Sequence, residues 1–380
     1  MKSVVYALPR IDPIDPAAVK PIFAPTAPPR LIKYGFNNIG NQLDYLALTS
    51  NSFYKSGLQF DFSRTDSSSF TNQVAKQFHI KDAADITPAF TELWEILALF
   101  DLFKTLTTDV TYSSQAAPIL SRIAATYLAM TKAKGKATHT ITDSLKSKSL
   151  NTGCQLAVCW YADIDLDEGA QVLKLGLELP LVLEQLAIGS TLIIQFFSLN
   201  TQPSAEIIQL LASCFDGAFI VRPSTVSDLS NCKYLVLQGL RDPAPKLPPL
   251  ATPDPSSSVA REVGIIQDRR LPALSLPDLY LQSLGLADPT ISTSIQCINS
   301  FLVPYIYSRY NVIKAYLDLK VYEGATYQEF IQAQNTNTID WLTTYANPIA
   351  VASTLDAHIK ATDEACSPFS VQAGGNDLDY

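Results

Sequence analysis

The densest set of potential ligands in this chain is Asp163-Ile-Asp-Leu-Asp-Glu168. In extended backbone, alternation puts Asp163, Asp165 and Asp167 on one side, where three carboxylates could hold a divalent cation. The stretch lacks the glycine-bearing pattern of a calcium loop, so it reads as a solvated acidic loop and no metal site is expected. Ser–His–Asp hydrolysis would need His79, His139 or His358, and none stands in a nucleophile-elbow or strand-end motif. Cys154, Cys159, Cys214, Cys232, Cys297 and Cys366 are scattered without zinc-ligand spacing, which predicts free buried thiols. Lys132, Lys134, Lys136, Lys146 and Lys148 fall in a Ser/Thr-rich stretch. They read as a solvated surface or, more sharply, as contacts to a phosphate backbone.

The elements that would position such groups are legible in the apolar runs. Leu186-Ala-Ile-Gly-Ser190 leads into Thr191-Leu-Ile-Ile-Gln-Phe-Phe197, followed by a helical pattern from Ala205 to Phe215. Ala218-Phe-Ile-Val221, a polar loop from Arg222 to Asn231 and Lys233-Tyr-Leu-Val-Leu237 complete a strand, helix, strand, loop, strand order. Short apolar runs flanking a helix imply an open α/β sheet. The loop between the last two strands is too short for a crossover, so they should be antiparallel. Gln155-Leu-Ala-Val-Cys-Trp160 is a further buried strand and Gly169 to Leu186 an amphipathic helix. Thr87 is a candidate N-cap, with Pro88 at the first position of a helix running to Phe103. Thr108 to Tyr112 reads as a strand, Ile119 to Met130 as a helix and Thr131 to Asn151 as an exposed loop.

At 380 residues, with 47% apolar and 17% charged side chains, the chain can bury a sizeable core, and wholesale disorder is excluded. A net charge of −8 argues against a surface built for tight, non-specific nucleic-acid binding but leaves room for a local basic groove. No apolar run reaches the roughly 18–20 residues of a membrane helix. The N-terminus lacks a signal pattern, so a cytoplasmic or virion setting is expected. Pro9, Pro13, Pro16, Pro21, Pro25, Pro28 and Pro29 predict an extended arm that wraps a neighbour or stands free. The expected organisation is an arm and peripheral layer over 1–84, an α/β domain over 85–242 and a proline-rich linker over 243–260. A helical region over 261–350 and an acidic flexible tail over 351–380 follow.

Gly189-Ser-Thr-Leu-Ile-Ile-Gln-Phe-Phe, Arg222-Pro-Ser-Thr and Asn231-Cys-Lys-Tyr-Leu-Val resemble, in order and spacing, motifs of the FtsJ-like mRNA cap ribose 2′-O-methyltransferases of large DNA viruses. Ala89-Phe90, Leu93-Trp94-Glu95-Ile96 and the phrase Thr338-Ile-Asp-Trp-Leu-Thr-Thr-Tyr-Ala-Asn-Pro-Ile349 extend the resemblance over about 88–349. It implies a Rossmann-like methyltransferase sheet, with the N-terminal arm and the C-terminal helical region attached. It also implies a Lys-Asp-Lys-Glu tetrad that deprotonates a ribose 2′-hydroxyl and passes it the methyl of S-adenosylmethionine. Carried over by position, the tetrad becomes Glu92, Asp163, Gln195 and Cys232, of which Asp163 alone keeps its type. The cofactor loop, which carries a Gly-Gly pair in that family, becomes Ser114, Gln115, Ala116 and Ala117 followed by Pro118. A Cβ at each position opposes close backbone approach and positive φ. Lys33, Lys55 and Lys104 are lysines that could substitute from elsewhere; Lys174 lies on a helix too far along to replace Gln195.

The expected reading is a catalytically inactive methyltransferase-fold protein, a scaffold or partner subunit of a viral capping or replication machine, without a bound cofactor. Its partners would be other viral proteins, or a second copy held through the proline arm. Two alternatives stand beside it: an active cap 2′-O-methyltransferase using S-adenosylmethionine, and an RNA-binding module that keeps the old cleft.

Overall fold

The structure, a computed structural model, describes residues 3–15, 18–19, 67–113, 115–131, 140–142, 153–160, 168–196, 199–226, 230–241, 284–286, 288–319 and 325–373. A mixed sheet of seven strands organises them. In chain order the strands are β1 (Val4–Ala7), β2 (Val110–Ser113), β3 (Thr140–Thr142), β4 (Cys154–Cys159), β5 (Leu186–Phe196), β6 (Phe215–Arg222) and β7 (Lys233–Leu240). Across the sheet the order is β1-β6-β7-β5-β4-β2-β3. β3, β2, β4 and β5 are parallel; β7 runs antiparallel between β5 and β6, and β1 is antiparallel to β6. The expected α/β sheet is present, as is the antiparallel pairing of the last two runs.

The helices are α1 (Ser67–Gln77), α2 (Pro88–Leu99), α3 (Phe103–Thr108), α4 (Ala117–Thr131), α5 (Glu168–Gln185), α6 (Gln202–Cys214), α7 (Thr290–Leu319), α8 (Ala325–Tyr345), α9 (Pro348–Ala352) and α10 (Leu355–Ala373). They form two layers. On one face α5, α6 and α7 pack on Leu192, Ile194, Phe196, Leu235 and Leu237; on the other, α1 to α4 and α8 cover Leu156, Val158, Ile193, Tyr234 and Val236. The alternation of these strand residues between two cores is the period-2 signature of a sheet buried on both sides.

Local chemistry sets the boundaries. Thr87 caps α2, its Oγ1 accepting from the Phe90 amide at 3.2 Å, and Pro88 opens the helix. The single helix expected to Phe103 is instead two, because Asp101 adopts φ +54° and turns the chain into α3. The strand expected from Thr108 begins at Val110, since Thr108 ends α3. β5 starts five residues before its apolar run, and its register against β4 shifts between Cys154 and Leu156. Gly189 supplies φ +80° within that irregular stretch, a conformation that residues with a Cβ rarely adopt.

Four expectations are corrected. Residues 3–15 are no free arm: Val4–Ala7 pair along β6, and Val4, Val5, Leu8 and Ile11 are buried. Proline starts only at position 9, after the strand has ended. The rest of the proposed arm and layer to residue 66, apart from residues 18–19, lies outside the described residues, as does the whole of the linker over 243–260. The C-terminal helical region is part of the same body, because Ile291, Ile295, Ile298 and Leu302 of α7 join one core and Trp341 and Tyr345 of α8 the other. Nor is 355–373 a flexible tail. It is α10, which covers the free edge of β1: the Val5 amide donates to Thr362 Oγ1 at 3.1 Å, and the Ser3 carbonyl lies 3.2 Å from His358 Nδ1. The stretch read as an exposed loop over 131–151 contains β3; its lysines lie outside the described residues.

Candidate functional site

After β2 the chain moves outward to β3, then returns past β2 to β4, so the sheet changes direction between β2 and β4. Open α/β sheets bind ligands at the carboxyl ends of the strands flanking such a point. There lie the turn from Ser113 to Ala117, Trp160 after β4, and Gln195 near the end of β5. Asp163 and Ser114 fall outside the described residues. In the described part of the turn, Gln115 takes φ +132° despite its Cβ, against the expectation that losing glycine forbids it. Ser113 Oγ accepts from the Ala116 amide at 2.9 Å, and Ala116 is fully buried at the start of α4.

The other three tetrad positions do meet. Gln195 and Tyr234 are register partners on β5 and β7, and Gln195 Nε2 lies 3.5 Å from both Tyr234 Oη and Cys232 Sγ. Tyr234 Oη donates to Glu92 Oε2 of α2 at 2.6 Å. Glu92 is 8% exposed, and Gln195, Cys232 and Tyr234 are buried. Burial pushes the Glu92 carboxyl up to about 7, helped by the charge of Glu95, while the Tyr234 hydrogen bond and Arg222 pull it down. The Cys232 thiol and the Tyr234 hydroxyl are pushed far up, first by burial and then by Glu92. The cluster therefore holds a carboxyl that keeps its proton far above the usual carboxylate range, a neutral amide and two groups that keep their protons.

Glu95, one helical turn beyond Glu92, is not among the site residues that the sequence suggests, yet it is fully buried and accepts six hydrogen bonds. Its Oε1 accepts from Ser224 Oγ (2.9 Å), Thr225 N (3.0 Å), Thr225 Oγ1 (2.8 Å) and Trp341 Nε1 (2.8 Å). Its Oε2 accepts from Ser3 Oγ and Ser224 N, both at 2.8 Å. The Trp-Glu-Ile, Arg-Pro-Ser-Thr and Trp341 motifs that carry the resemblance thus converge on one carboxylate. A second glutamate in a helix that apart from Thr91 and Glu92 is apolar is the signal for it, since a buried carboxylate demands donors.

On the opposite face of the same edge, Lys233 is buried and its ammonium is lowered to about 7 by burial and then by Arg222. Glu168 at the start of α5 accepts from Asn200 N, Thr201 N and Oγ1 and Ser204 Oγ, closing the entrance of α6. All six cysteines are free and buried, as expected. Among the described residues there is no cluster of three or more metal-ligating side chains, and no helix is long and apolar enough to cross a membrane. Of the acidic run, Glu168 alone is described.

No family model matches the chain. A protein of Acanthamoeba polyphaga mimivirus, named "Uncharacterized protein R383", is 36% identical over 385 residues, covering 97% of either chain. Identity at that level over nearly the whole of both chains places this protein in one family with its mimivirus relative.

Proposed function

We propose that this chain is a methyltransferase-fold protein of a large DNA virus that does not transfer methyl groups and serves as a structural component or partner subunit of an RNA-capping or replication complex. One observation carries the reading: at the positions where the resemblance requires Lys, Lys and Glu, the chain gathers Glu92, Gln195 and Cys232 around the Tyr234 hydroxyl. A developing ribose alkoxide needs a cation beside it, and an amide, a thiol and a carboxyl supply none. Lys233 faces the other side of β7 from Glu92, by strand alternation. S-adenosylmethionine fits poorly in the turn after β2. There the Ala116 amide is committed to Ser113 Oγ, and Cβ atoms stand where the resemblance calls for glycine.

The test is methyl transfer to a capped RNA, with an active relative as positive control, alongside calorimetry with S-adenosylmethionine. Neither turnover nor micromolar binding is expected. Turnover that disappears in Asp163→Ala would return the chain to the enzymes. A salt-dependent RNA shift without turnover would favour the RNA-binding module instead.

A further inference from the structure

Cys297 of α7 and Cys366 of α10 are each 2% exposed, yet neither belongs to the two apolar cores on the faces of the sheet. They lie at a third junction, where α10 packs on both α7 and β1. α7 enters its core with Ile291, Ile295, Ile298 and Leu302. Beside that row runs a second buried one of small side chains, Ser294 and Cys297, one helical turn apart. α10 answers with Thr362 and Cys366, also buried and one turn apart, of which Thr362 takes the Val5 amide at 3.1 Å. Tyr6, the next residue of β1, ties the two rows together. Its hydroxyl is hydrogen-bonded to Ser294 and is pushed up first by burial, with Cys297, Cys366 and Asp363 adding to the effect. The Cys366 thiol is pushed up to about 12, first by burial and then by Cys297. Two thiols far apart in sequence thus meet at one place, on small-residue faces that let two helices approach as closely as a disulfide requires.

We propose that Cys297 and Cys366 form a disulfide that locks α10 over the edge of β1, making this junction a redox-sensitive latch. The oxidant is a small-molecule disulfide. The thiolate of one cysteine attacks it, releasing one small thiol and leaving a mixed disulfide; the second cysteine then displaces the other small thiol and closes the S–S bond of the protein. The two cysteine protons end on the two released thiols, and two electrons pass from the protein to the oxidant. Burial holds both thiols protonated while α10 is seated, so exchange proceeds when α10 lifts, and the bond fixes the helix once it returns. An uncovered strand edge invites pairing with another chain, and the closed latch keeps β1 covered. The junction is separate from the Glu92 cluster and does not depend on whether methyl transfer occurs.

The full chain is compared fully reduced and after equilibration with oxidised glutathione. Mass spectrometry should show the loss of two hydrogens, peptide mapping without reduction should join Cys297 to Cys366, and dithiothreitol should reverse both. Closing a loop of about 70 residues should raise the melting temperature by on the order of 5 °C. Hydrogen exchange at the Val5 amide, which Thr362 holds, should slow in the oxidised protein. Cys297→Ser and Cys366→Ser should each lose the bond and both shifts, whereas Cys214→Ala, in the core beneath the sheet, should keep them. Both thiols remaining reduced, glutathione left attached to them, or a bond to another cysteine overturns the disulfide. A bond that leaves Val5 exchange unchanged overturns the latch.

Discussion

Glu92 and Glu95 sit one turn apart on α2, and replacing each by glutamine should give opposite results. Glu95 accepts six hydrogen bonds from four residues in three separated parts of the chain: Ser3, the adjacent Ser224 and Thr225, and Trp341. Glutamine keeps the shape but presents an N–H₂ where an oxygen stood. Two of the six donors are backbone amides and one is an indole, none of which can turn round to accept. Hydrogen bonds to a charged acceptor contribute about 1.5–3 kcal/mol each, against about 0.5–1.5 kcal/mol for neutral ones. Weakening several and inverting at least one gives a loss of about 3–5 kcal/mol, the scale of breaking a buried charged network. Glu92 has one short hydrogen bond, from Tyr234 at 2.6 Å, and the carbonyl of a glutamine can accept it equally well. Glu92→Gln should therefore lie within about 1 kcal/mol of the natural protein at pH 5, where both side chains are neutral. Urea unfolding followed by circular dichroism measures both variants on one scale. If Glu95→Gln proves as mild as Glu92→Gln, the convergence of motifs on Glu95 does not hold the fold together.

The remaining predictions follow from the same geometry. Because folding raises the Glu92 carboxyl to about 7, stability should fall as pH rises from about 4.5 to 7, and Glu92→Gln should remove that fall and be the more stable protein at pH 8. Lys233, lowered to about 7, has the opposite sign: stability should rise between pH 7 and about 10.5, and the rise should vanish in Lys233→Met. Thr362→Val leaves the Val5 amide without its acceptor and should cost about 1–2 kcal/mol, with faster hydrogen exchange at Val5 as the local readout. Phe196→Ala, at a fully buried position in the sheet, should cost about 3–5 kcal/mol in denaturant unfolding. Trp160 is half-buried and should tolerate truncation better than Trp94, which is fully buried against Phe78, Phe90 and Phe103.

What could be read from the sequence was whatever depends on local period. The runs at 155–160, 191–197 and 233–237 became β4, β5 and β7 because strands buried on both faces are continuously apolar. Helix α2 carried its own cap and proline. What could not be read depends on contacts distant in sequence. β1 has four residues and no turn signal, and it is a strand because β6 offers it an edge and α10 closes its other side. Residues 355–373 look acidic and mobile in isolation, yet Thr362 and Cys366 are buried once α10 lies on β1 and α7.

The site shows the same division in a sharper form. Positions 92, 195 and 232 were brought together by resemblance, and the register of Gln195 with Tyr234 gives that grouping a physical basis: β5 and β7 must present their ends side by side. Tyr234 has no place in the tetrad, yet its hydroxyl joins Glu92 to Gln195. Glu95 belongs to the same Leu-Trp-Glu-Ile motif, but its role comes from donors at Ser3, Ser224, Thr225 and Trp341, far away in sequence. Motif residues of two kinds are mixed in such a comparison. Those that hold segments together, such as Glu95, Ser224, Thr225 and Trp341, depend on one another and can be lost only as a set. Those that would act on a substrate can change singly without unfolding the chain. Glu95, Ser224, Thr225 and Trp341 find one another in the structure, whereas Glu92, Gln195 and Cys232 differ in chemical type from what the resemblance implies and Asp163 keeps it.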